Sequence, residues 1–215
     1  MKIILASNGS FLIKEGFNLI SIPVDKIKIG YITTASKVSK DKSFLEIQKQ
    51  AMTQAGYAYE EFDIEGKSKE EVLNFFVDKN VILIEGGNTF YLLRAIRETG
   101  FDKILKELLD KGLVYVGISA GAYVMCPNIE VASWRKNKEE DWFGLTDLTA
   151  LGYAPFCLKV HYTNDMQESI KEKMKSLKFP LRILRDGQGI LGENGVFSFK
   201  GEGNEIKLNY INNEI

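Results

Sequence analysis

Cysteine and histidine are scarce in this sequence, and long apolar runs are missing. The 215 residues include only Cys126 and Cys157, which form no CxxC pair, so a disulfide scaffold is not expected and both thiols are predicted to be reduced. No apolar run approaches the roughly 20 residues of a membrane span, and the opening MKIILASNGS does not resemble a signal peptide. We therefore expect a cytoplasmic protein with no membrane partner.

An excess of charge of either sign is also absent. The sequence has 28 basic and 29 acidic residues and a formal net charge of −1, so nothing favours DNA, RNA or an anionic lipid surface as a partner. With 45% hydrophobic residues the chain is long enough to bury a substantial core, and residues 1–215 are predicted to form a single domain. The sequence gives no indication of the oligomeric state.

The first half of the chain alternates between strand and helix patterns. Short apolar segments predict strands over residues 1–6, 28–34, 57–64 and 81–85. Residues 42–56 predict a helix whose apolar face includes Leu45, Ile47 and Met52, and Ser68 with Glu71 predicts a capped helix that turns Val72, Leu73, Phe76 and Val77 inward. Further helices are predicted near 90–100 and 102–111. This order predicts an α/β fold with a mostly parallel sheet flanked by helices.

The second half is less regular. Residues 134–141 are polar and predict a surface excursion that Trp142 and Phe143 hold against the protein. A strand is predicted over 156–162, with His161 at its end, and a helix over 166–177. Short strands at 183–184, 190–191, 196–199 and 206–210, separated by Gly-containing turns, predict antiparallel hairpins at the C-terminus.

A serine lies at the apex of a predicted strand-turn-helix. Residues 113–126 read LVYVGISAGAYVMC, and the segment GISAG places Ser119 between Gly117 and Gly121. Glycines on both sides permit a sharp reversal, so the pattern predicts a nucleophile elbow with an exposed hydroxyl and nearby N–H groups for an oxyanion. The alternative is a glycine-flanked turn with an incidental serine. A second glycine pair, Gly86 and Gly87, follows the strand at 81–85, at the sheet edge where α/β proteins bind ligands; the alternative for this pair is a plain glycine turn.

A serine nucleophile needs a base, and the chain has one histidine. His161 is therefore the candidate base for Ser119, the alternative being a structural or surface histidine. The imidazole in turn needs a carboxylate partner. The candidates are Asp186, which directly follows a predicted strand, and Asp165, Glu168, Glu193 and Asp141; for Asp186 itself the alternative is an Asp-Gly turn.

Four segments together resemble a known family. EGGNTF at 85–90, GISAGA at 117–122, CP at 126–127 and HYTN at 161–164 are similar, in order and spacing, to the serine peptidase family that includes aspartyl dipeptidase (peptidase E), with cyanophycinases as relatives. The resemblance implies a fold similar to class I glutamine amidotransferases, and the serine chemistry expected here needs no metal or organic cofactor. It also implies Ser119 as nucleophile, His161 as base, the Gly87 and Ala120 N–H groups as oxyanion hole, and Asn88 as a substrate-binding residue.

The sequence departs from this family at two places. Aspartyl dipeptidases have Pro-Glu-Gly where this chain has Arg185-Asp186-Gly187, so the resemblance assigns Asp186, with its shorter side chain, as third member of the triad. No arginine lies between His161 and Arg182, so a strict preference for an N-terminal aspartate is not expected. The leading hypothesis is a serine peptidase of small peptides. Two alternatives remain: a cyanophycinase-like, isopeptide or ester hydrolase, and a non-catalytic sensor of peptides or small molecules.

Overall fold

The protein is built around a seven-stranded sheet. The structure is a computed structural model that describes residues 1–134 and 141–208. The strands of this sheet are β1 (Lys2–Ala6), β2 (Lys28–Ile32), β3 (Ala58–Phe62), β4 (Val81–Ile84), β5 (Val114–Ile118), β8 (Gln188–Glu193) and β9 (Val196–Gly201). Their order across the sheet is β3-β2-β4-β5-β1-β8-β9. Strands β1 to β5 pair in parallel, whereas β8 is antiparallel to both β1 and β9. The predicted α/β fold with a mostly parallel sheet is confirmed.

Both faces of the sheet are buried, which explains the nearly continuous apolar strands. In β1, Ile3 and Leu5 enter one hydrophobic cluster and Ile4 and Ala6 enter the other, because successive side chains of a strand point to opposite faces. Helices cover the two faces. They are α1 (Gly9–Phe11), α2 (Ser43–Gln54), α3 (Lys69–Phe75), α4 (Thr89–Thr99), α5 (Phe101–Asp110), α6 (Ala120–Tyr123) and α7 (Gln167–Met174). Within the described residues, no helix is long and apolar enough to cross a bilayer.

The capped helix predicted after residue 67 is confirmed, but the prediction of which residues it turns inward is partly wrong. The Ser68 hydroxyl accepts a hydrogen bond from the Glu71 N–H, and the Glu71 carboxylate accepts one from the Ser68 N–H, which together form a capping box at the start of α3. The helix ends at Phe75, so Val77 lies beyond it and is 84% exposed instead of turning inward.

The buried face of α2 also differs from the prediction. Leu45, Gln48 and Met52 are buried, whereas Ile47 is 61% exposed. The buried residues follow a spacing of three and four, which defines one face of a helix, and Ile47 projects about 100° away from Gln48. The helix therefore buries a polar side chain in the place that the sequence pattern assigned to isoleucine.

The C-terminal part contains a second, smaller sheet. Strands β6 (Cys157–Lys159) and β7 (Leu181–Ile183) pair in parallel outside the main sheet, so the strand predicted over 156–162 is shorter and the segment at 183–184 is not part of an antiparallel hairpin. The predicted hairpin between β8 and β9 is present and turns at Asn194 and Gly195, both with positive φ.

The other predicted segments have different outcomes. A single turn at 164–166 precedes α7, which ends before the predicted residue 177. Ile206 makes an isolated antiparallel bridge with Ile183, and the rest of the strand predicted at 206–210 lies partly outside the described residues. Of the polar excursion predicted at 134–141, residues 135–140 lie outside the described residues. Trp142 stacks on Phe90 with ring centroids 5.3 Å apart. Cys126 and Cys157 are buried free thiols, as predicted.

Candidate active site

Three parallel strands end at one edge of the sheet, and polar residues follow each of them. Ser7 follows β1, Glu85 follows β4 and Ser119 follows β5. The Ser119 N–H donates to the carbonyl oxygen of Ala6 at 3.0 Å, which holds the ends of β1 and β5 together. The carboxyl edge of a parallel sheet is where open α/β folds place their ligands, so this edge is the first place to look for a site.

Ser119 lies on a sharp turn between β5 and α6. Its backbone has φ 48° and ψ −100°, a conformation that is costly for a residue with a side chain. Close backbone contacts hold the turn. A Cβ on Gly117 would lie 2.4 Å from the Gly121 carbonyl oxygen, and a Cβ on Gly121 would lie 2.3 Å from that of Ile84. Both glycines are therefore required sterically, as expected for a nucleophile elbow.

A continuous chain of hydrogen bonds connects Ser119, His161 and Asp186. The Ser119 Oγ lies 3.0 Å from His161 Nε2, and His161 Nδ1 lies 2.6 Å from Asp186 Oδ1. Because the carboxylate can only accept, Nδ1 carries the proton and Nε2 is left to accept the hydroxyl proton of Ser119. The structure thus brings together all three residues predicted as a triad.

Two of the other candidate carboxylates form ion pairs elsewhere. Glu168 pairs with Lys171 at 3.0 Å and Glu193 with Lys2 at 3.1 Å. The shorter side chain of Asp186 reaches His161 because the backbone after β7 brings it there. His161 itself has φ 55°, which ends the extended backbone after β6 and turns the ring toward Ser119.

Ser7 is a component of this site that the sequence analysis missed. Its hydroxyl donates to Asp186 Oδ1 at 3.0 Å and accepts the backbone N–H of His161, also at 3.0 Å. Ser7 is fully buried, so neither bond competes with water. The side chain therefore positions both partners at once. The serine follows a buried strand at the ligand-binding edge, and that position was the only signal in the sequence.

The neighbouring Asn8 holds the loop that carries the aspartate. Its Oδ1 accepts the N–H of Gly187 at 3.0 Å. The pKa of Asp186 is lowered below its usual value chiefly by the hydrogen bond from His161, with a smaller contribution from the Ser7 hydroxyl, while partial burial opposes the shift. A carboxylate that stays ionised keeps the imidazole oriented and stabilises its protonated form.

Gly87 and Ala120 have N–H groups without acceptors in the described part of the chain. Gly87 has φ 144°, and a Cβ there would lie 2.1 Å from the Ala35 carbonyl oxygen, so only glycine fits. The following Asn88 donates its N–H to that same carbonyl at 2.8 Å. Ala120 directly follows Ser119. Unpaired N–H groups on a rigid backbone are suited to binding an oxyanion.

The side chain of Asn88 caps α4. Its Oδ1 accepts the Tyr91 N–H at 2.9 Å, and its Nδ2 donates to the carbonyl oxygen of Asp141 at 3.2 Å. The side-chain oxygen and nitrogen of Asn88 are therefore already hydrogen-bonded within the protein. Asn88, the predicted substrate-binding residue, nevertheless lines the cleft described next.

The elbow opens into a cleft of about 860 Å³. Ser119, His161, Gly87 and Asn88 line it, together with residues of α2. A volume of this size lies in the range of sites that bind small ligands. Among the residues that the structure describes, no group of three or more His, Cys, Asp or Glu side chains could hold a metal ion.

Glu85 is a buried carboxyl at the floor of the cleft. It is 2% exposed, accepts a hydrogen bond from the buried Tyr31 hydroxyl and accepts the Gly86 N–H at 2.7 Å. Burial raises the pKa of Glu85 to about 7, while the two hydrogen bonds oppose that shift. This carboxyl therefore changes charge near neutral pH, directly before the glycine pair that precedes α4.

Comparisons with known proteins agree with this geometry. The family model for peptidase family S51 matches residues 3–198. An uncharacterized peptidase from Pasteurella multocida is 31% identical over 176 residues, which cover 80% of this chain and 84% of that protein. An uncharacterized peptidase from Listeria monocytogenes is 33% identical over 146 residues, or 68% of this chain and 71% of that protein.

A solved structure shows the same fold. The crystal structure of a putative peptidase E protein from Listeria monocytogenes superposes with a TM-score of 0.81 and 26% identity, and covers 94% of this chain and 98% of that one. The family match spans most of the sequence and includes the elbow, the histidine and the aspartate. The chain is therefore a peptidase and belongs to peptidase family S51.

Proposed function

We propose that this peptidase is of the serine type and hydrolyses small peptides through an acyl-enzyme on Ser119. The observation that carries the proposal is the chain of contacts at 3.0 Å and 2.6 Å from Ser119 through His161 to Asp186. A serine hydroxyl is a weak nucleophile until a positioned base takes its proton, and this arrangement supplies the base and the carboxylate that orients it.

The proposed reaction has two stages, formation of the acyl-enzyme and its hydrolysis. The Ser119 Oγ attacks the peptide carbonyl carbon while its proton moves to His161 Nε2, and the carbonyl oxygen becomes an oxyanion that the Gly87 and Ala120 N–H groups bind. His161 then gives this proton to the leaving amine, and the C–N bond breaks to leave an ester on Ser119. Water attacks the ester with His161 again as base, which releases the acid and restores the hydroxyl.

The cleft supports small peptides as substrates. Its volume of about 860 Å³ is in the range of sites that bind ligands of a few residues. A strict preference for an N-terminal aspartate is not part of the proposal. Arg185, the residue before Asp186, donates to Asn164 at 2.6 Å and lies over the Tyr162 ring, and it does not line the cleft.

Labelling by a fluorophosphonate tests the serine chemistry. We expect a covalent adduct at Ser119 in the wild-type protein, found by mass spectrometry of the digested protein, and none in Ser119→Ala. Ser39 also lines the cleft, so Ser39→Ala is the matched control and should still be labelled. If the wild-type protein forms no adduct at Ser119, the serine mechanism is wrong.

A panel of dipeptides, tripeptides, isopeptides and simple esters tests the substrate class. Cleavage of dipeptides with loss of turnover in Ser119→Ala supports the proposal, and cleavage of esters or isopeptides alone would favour the alternative hydrolases. Binding without any acyl-enzyme would favour a sensor.

We also propose the cytosol as the location, since the two buried free thiols suit a reducing compartment, and cell fractionation tests this.

A further inference from the structure

Three accessible apolar side chains line the cleft that contains Ser119. They are Val38, Phe44 and Phe143, and we call them the apolar wall. Val38 is 40% exposed, and Phe44 and Phe143 are half-buried, so a molecule in the cleft can reach all three. Apolar and aromatic side chains beside a few convergent polar groups are the usual lining of a ligand site. The apolar wall is therefore a candidate contact surface for part of the substrate.

Phe143 is held in a backbone conformation that a bulky residue seldom adopts. Its φ is 50°, which is costly for a residue with a large side chain. Such a conformation persists only where the surrounding contacts determine it. Here the Phe143 N–H donates to Asp141 Oδ1 at 2.8 Å, and the ring packs edge-on against Tyr91 with the centroids 5.0 Å apart. These contacts keep the ring at a fixed place in the cleft lining.

The segment that carries Phe143 is fixed to the first turn of α4, which begins two residues after Gly87. The Asn88 Nδ2 donates to the carbonyl oxygen of Asp141 at 3.2 Å, and Trp142 stacks on an aromatic ring of the same turn at 5.3 Å. Gly87 supplies one N–H group of the proposed oxyanion hole. A short, well-packed connection thus links the Phe143 ring to the group that would bind the scissile carbonyl, as a specificity residue requires.

Val38 is connected to the same helix through its neighbour. Lys37 forms an ion pair with Glu65, and the Glu65 carboxylate accepts a hydrogen bond from the Tyr91 hydroxyl at 2.6 Å. Phe143 packs against that same tyrosine. The apolar wall is therefore organised before a substrate binds, which lowers the entropic cost of binding.

The charges beside the apolar wall disfavour an acidic substrate side chain. Asp141 lies two residues before Phe143, Asp41 lies three residues before Phe44, and both aspartates line the cleft together with Lys40. A substrate carboxylate would meet more negative than positive charge here and would lose its hydration against apolar groups. An apolar side chain meets no such penalty and gains free energy when the wall covers it.

We propose that the apolar wall is a specificity subsite that binds an apolar side chain next to the scissile peptide bond, with Phe143 as the specificity-determining residue. The inference rests on the proposed peptidase function and names the substrate class of that site. Two positions can supply the side chain: the N-terminal residue of a dipeptide, which forms the acyl-enzyme, and the C-terminal residue, which leaves with the amine.

The replacement Phe143→Ala tests this proposal. Phe179 is 38% exposed and lies outside the described cleft lining, so Phe179→Ala is the matched control. The substrates are Leu-Ala, Ala-Leu, Ala-Ala and Asp-Ala. We expect the wild-type protein to cleave a leucine peptide with a kcat/KM about tenfold above those for Ala-Ala and Asp-Ala, because the wall covers the larger side chain. Phe143→Ala should remove most of this preference and leave the value for Ala-Ala nearly unchanged, and Phe179→Ala should keep it.

The pattern of the loss identifies the position of the bound side chain. A fall confined to the leucine peptides supports the proposal, and the peptide that is affected, Leu-Ala or Ala-Leu, assigns the subsite to the acyl side or to the leaving-group side. Equal falls on all four peptides would indicate a structural role for Phe143 and overturn the proposal. Unchanged values, or a wild-type preference for Asp-Ala over both leucine peptides, would overturn it as well.

A second variant tests the same wall if Phe143→Ala does not fold. Val38→Ser shortens the wall at an exposed position, and Val77→Ser is the matched control because Val77 is 84% exposed and lies outside the described cleft lining. Val38→Ser should lower the preference for the leucine peptide about threefold, since valine covers less of a bound side chain than phenylalanine does. Equal preferences in the two valine variants would contradict the proposal.

Failure of this inference is distinguishable from failure of the proposed function. A fluorophosphonate with only methyl substituents should label Ser119 at about the wild-type rate in all four variants, and labelling without any leucine preference overturns the subsite alone. If the wild-type protein cleaves none of the dipeptides, calorimetric titration of the same four into Ser119→Ala and into Ser119→Ala with Val38→Ser decides. Tighter binding of a leucine peptide by the first protein supports the subsite, and equal binding overturns it.

Discussion

Replacing Ser7 by alanine should separate the positioning of the triad from its chemistry. The variant keeps Ser119, His161 and Asp186 but removes the hydroxyl that donates to Asp186 Oδ1 and accepts the His161 N–H, each at 3.0 Å. Ser7 is fully buried, and alanine differs from it only by that oxygen. The effect therefore reports on two hydrogen bonds and very little else.

The magnitude follows from what each lost bond leaves behind. A hydrogen bond to a charged group contributes about 1.5 to 3 kcal/mol, and an unpaired buried N–H costs about 1 to 3 kcal/mol. Since the two losses share one oxygen and are not additive, we expect the free energy of unfolding to fall by about 2 to 4 kcal/mol. If the transition state loses about 1.4 to 2.8 kcal/mol of this stabilisation, kcat/KM falls about 10-fold to 100-fold.

The dependence on pH gives an independent check. Because the Ser7 hydroxyl helps to lower the pKa of Asp186, its removal should raise that pKa. A carboxyl whose pKa is lower in the folded state stabilises the fold above its unfolded pKa of about 3.9, and this contribution is lost as the pH falls through the folded value. The stability difference between the two proteins should thus be largest near pH 7 and shrink below about pH 4.

Urea unfolding between pH 3 and 8 and peptidase assays measure these effects. The control is Ser133→Ala, which loses a single hydrogen bond to the Glu130 carbonyl oxygen at 2.7 Å and does not line the cleft. It should keep the wild-type kcat/KM. A Ser7→Ala protein with wild-type kcat/KM and an unchanged pH dependence of stability would refute the positioning role of Ser7.

Three further changes have expected outcomes. The pKa of Glu85 is raised to about 7 in the folded protein, so its protonated form stabilises the fold at a pH below the pKa of a glutamate in the unfolded chain. This contribution to the free energy of unfolding is lost as the pH rises to about 7. In urea unfolding, the free energy of unfolding of the wild-type protein should fall by about 3 kcal/mol over that pH range relative to Glu85→Gln. Parallel plots of the free energy of unfolding against pH for the two proteins would contradict this. Gly121→Ala places a Cβ 2.3 Å from the Ile84 carbonyl oxygen and should cost about 3 kcal/mol or yield insoluble protein, whereas a wild-type melting temperature would refute the steric argument. Ser68→Ala removes the cap of α3 and should cost about 1 kcal/mol in chemical denaturation, with no change in kcat/KM; a loss of activity would point to another role.

Local patterns predicted most of the fold because they depend on neighbours within a few residues. The apolar run at 81–85 predicted the strand β4, and the Ser68 and Glu71 spacing predicted the start of α3. The pattern was less reliable for which face a helix buries. The periodicity of α2 predicted that Ile47 is buried, but in the folded protein Gln48 is buried and Ile47 is exposed.

In the candidate site, too, the local features were predicted from the sequence and the contacts between distant residues were not. The glycines around Ser119 predicted the elbow because the turn is a local steric problem, and the single histidine identified the partner. The sequence left Asp186 as one candidate among five carboxylates on residue chemistry alone, and the resemblance to a family singled it out. The contact at 2.6 Å between Asp186 and His161 joins residues 25 positions apart through the packing of β7 beside β6.

The sequence by itself determined the strand and helix order, the sharp turn at Ser119 and the single histidine that could serve as its base, because these depend on periodicity, local sterics and composition. Only the tertiary structure decided that Ser7 supports Asp186 across 179 positions, that Gln48 faces the cleft, and that β7 pairs in parallel outside the main sheet. Such contacts arise when distant segments pack against one another, and no short-range pattern in the chain encodes which distant atoms then meet.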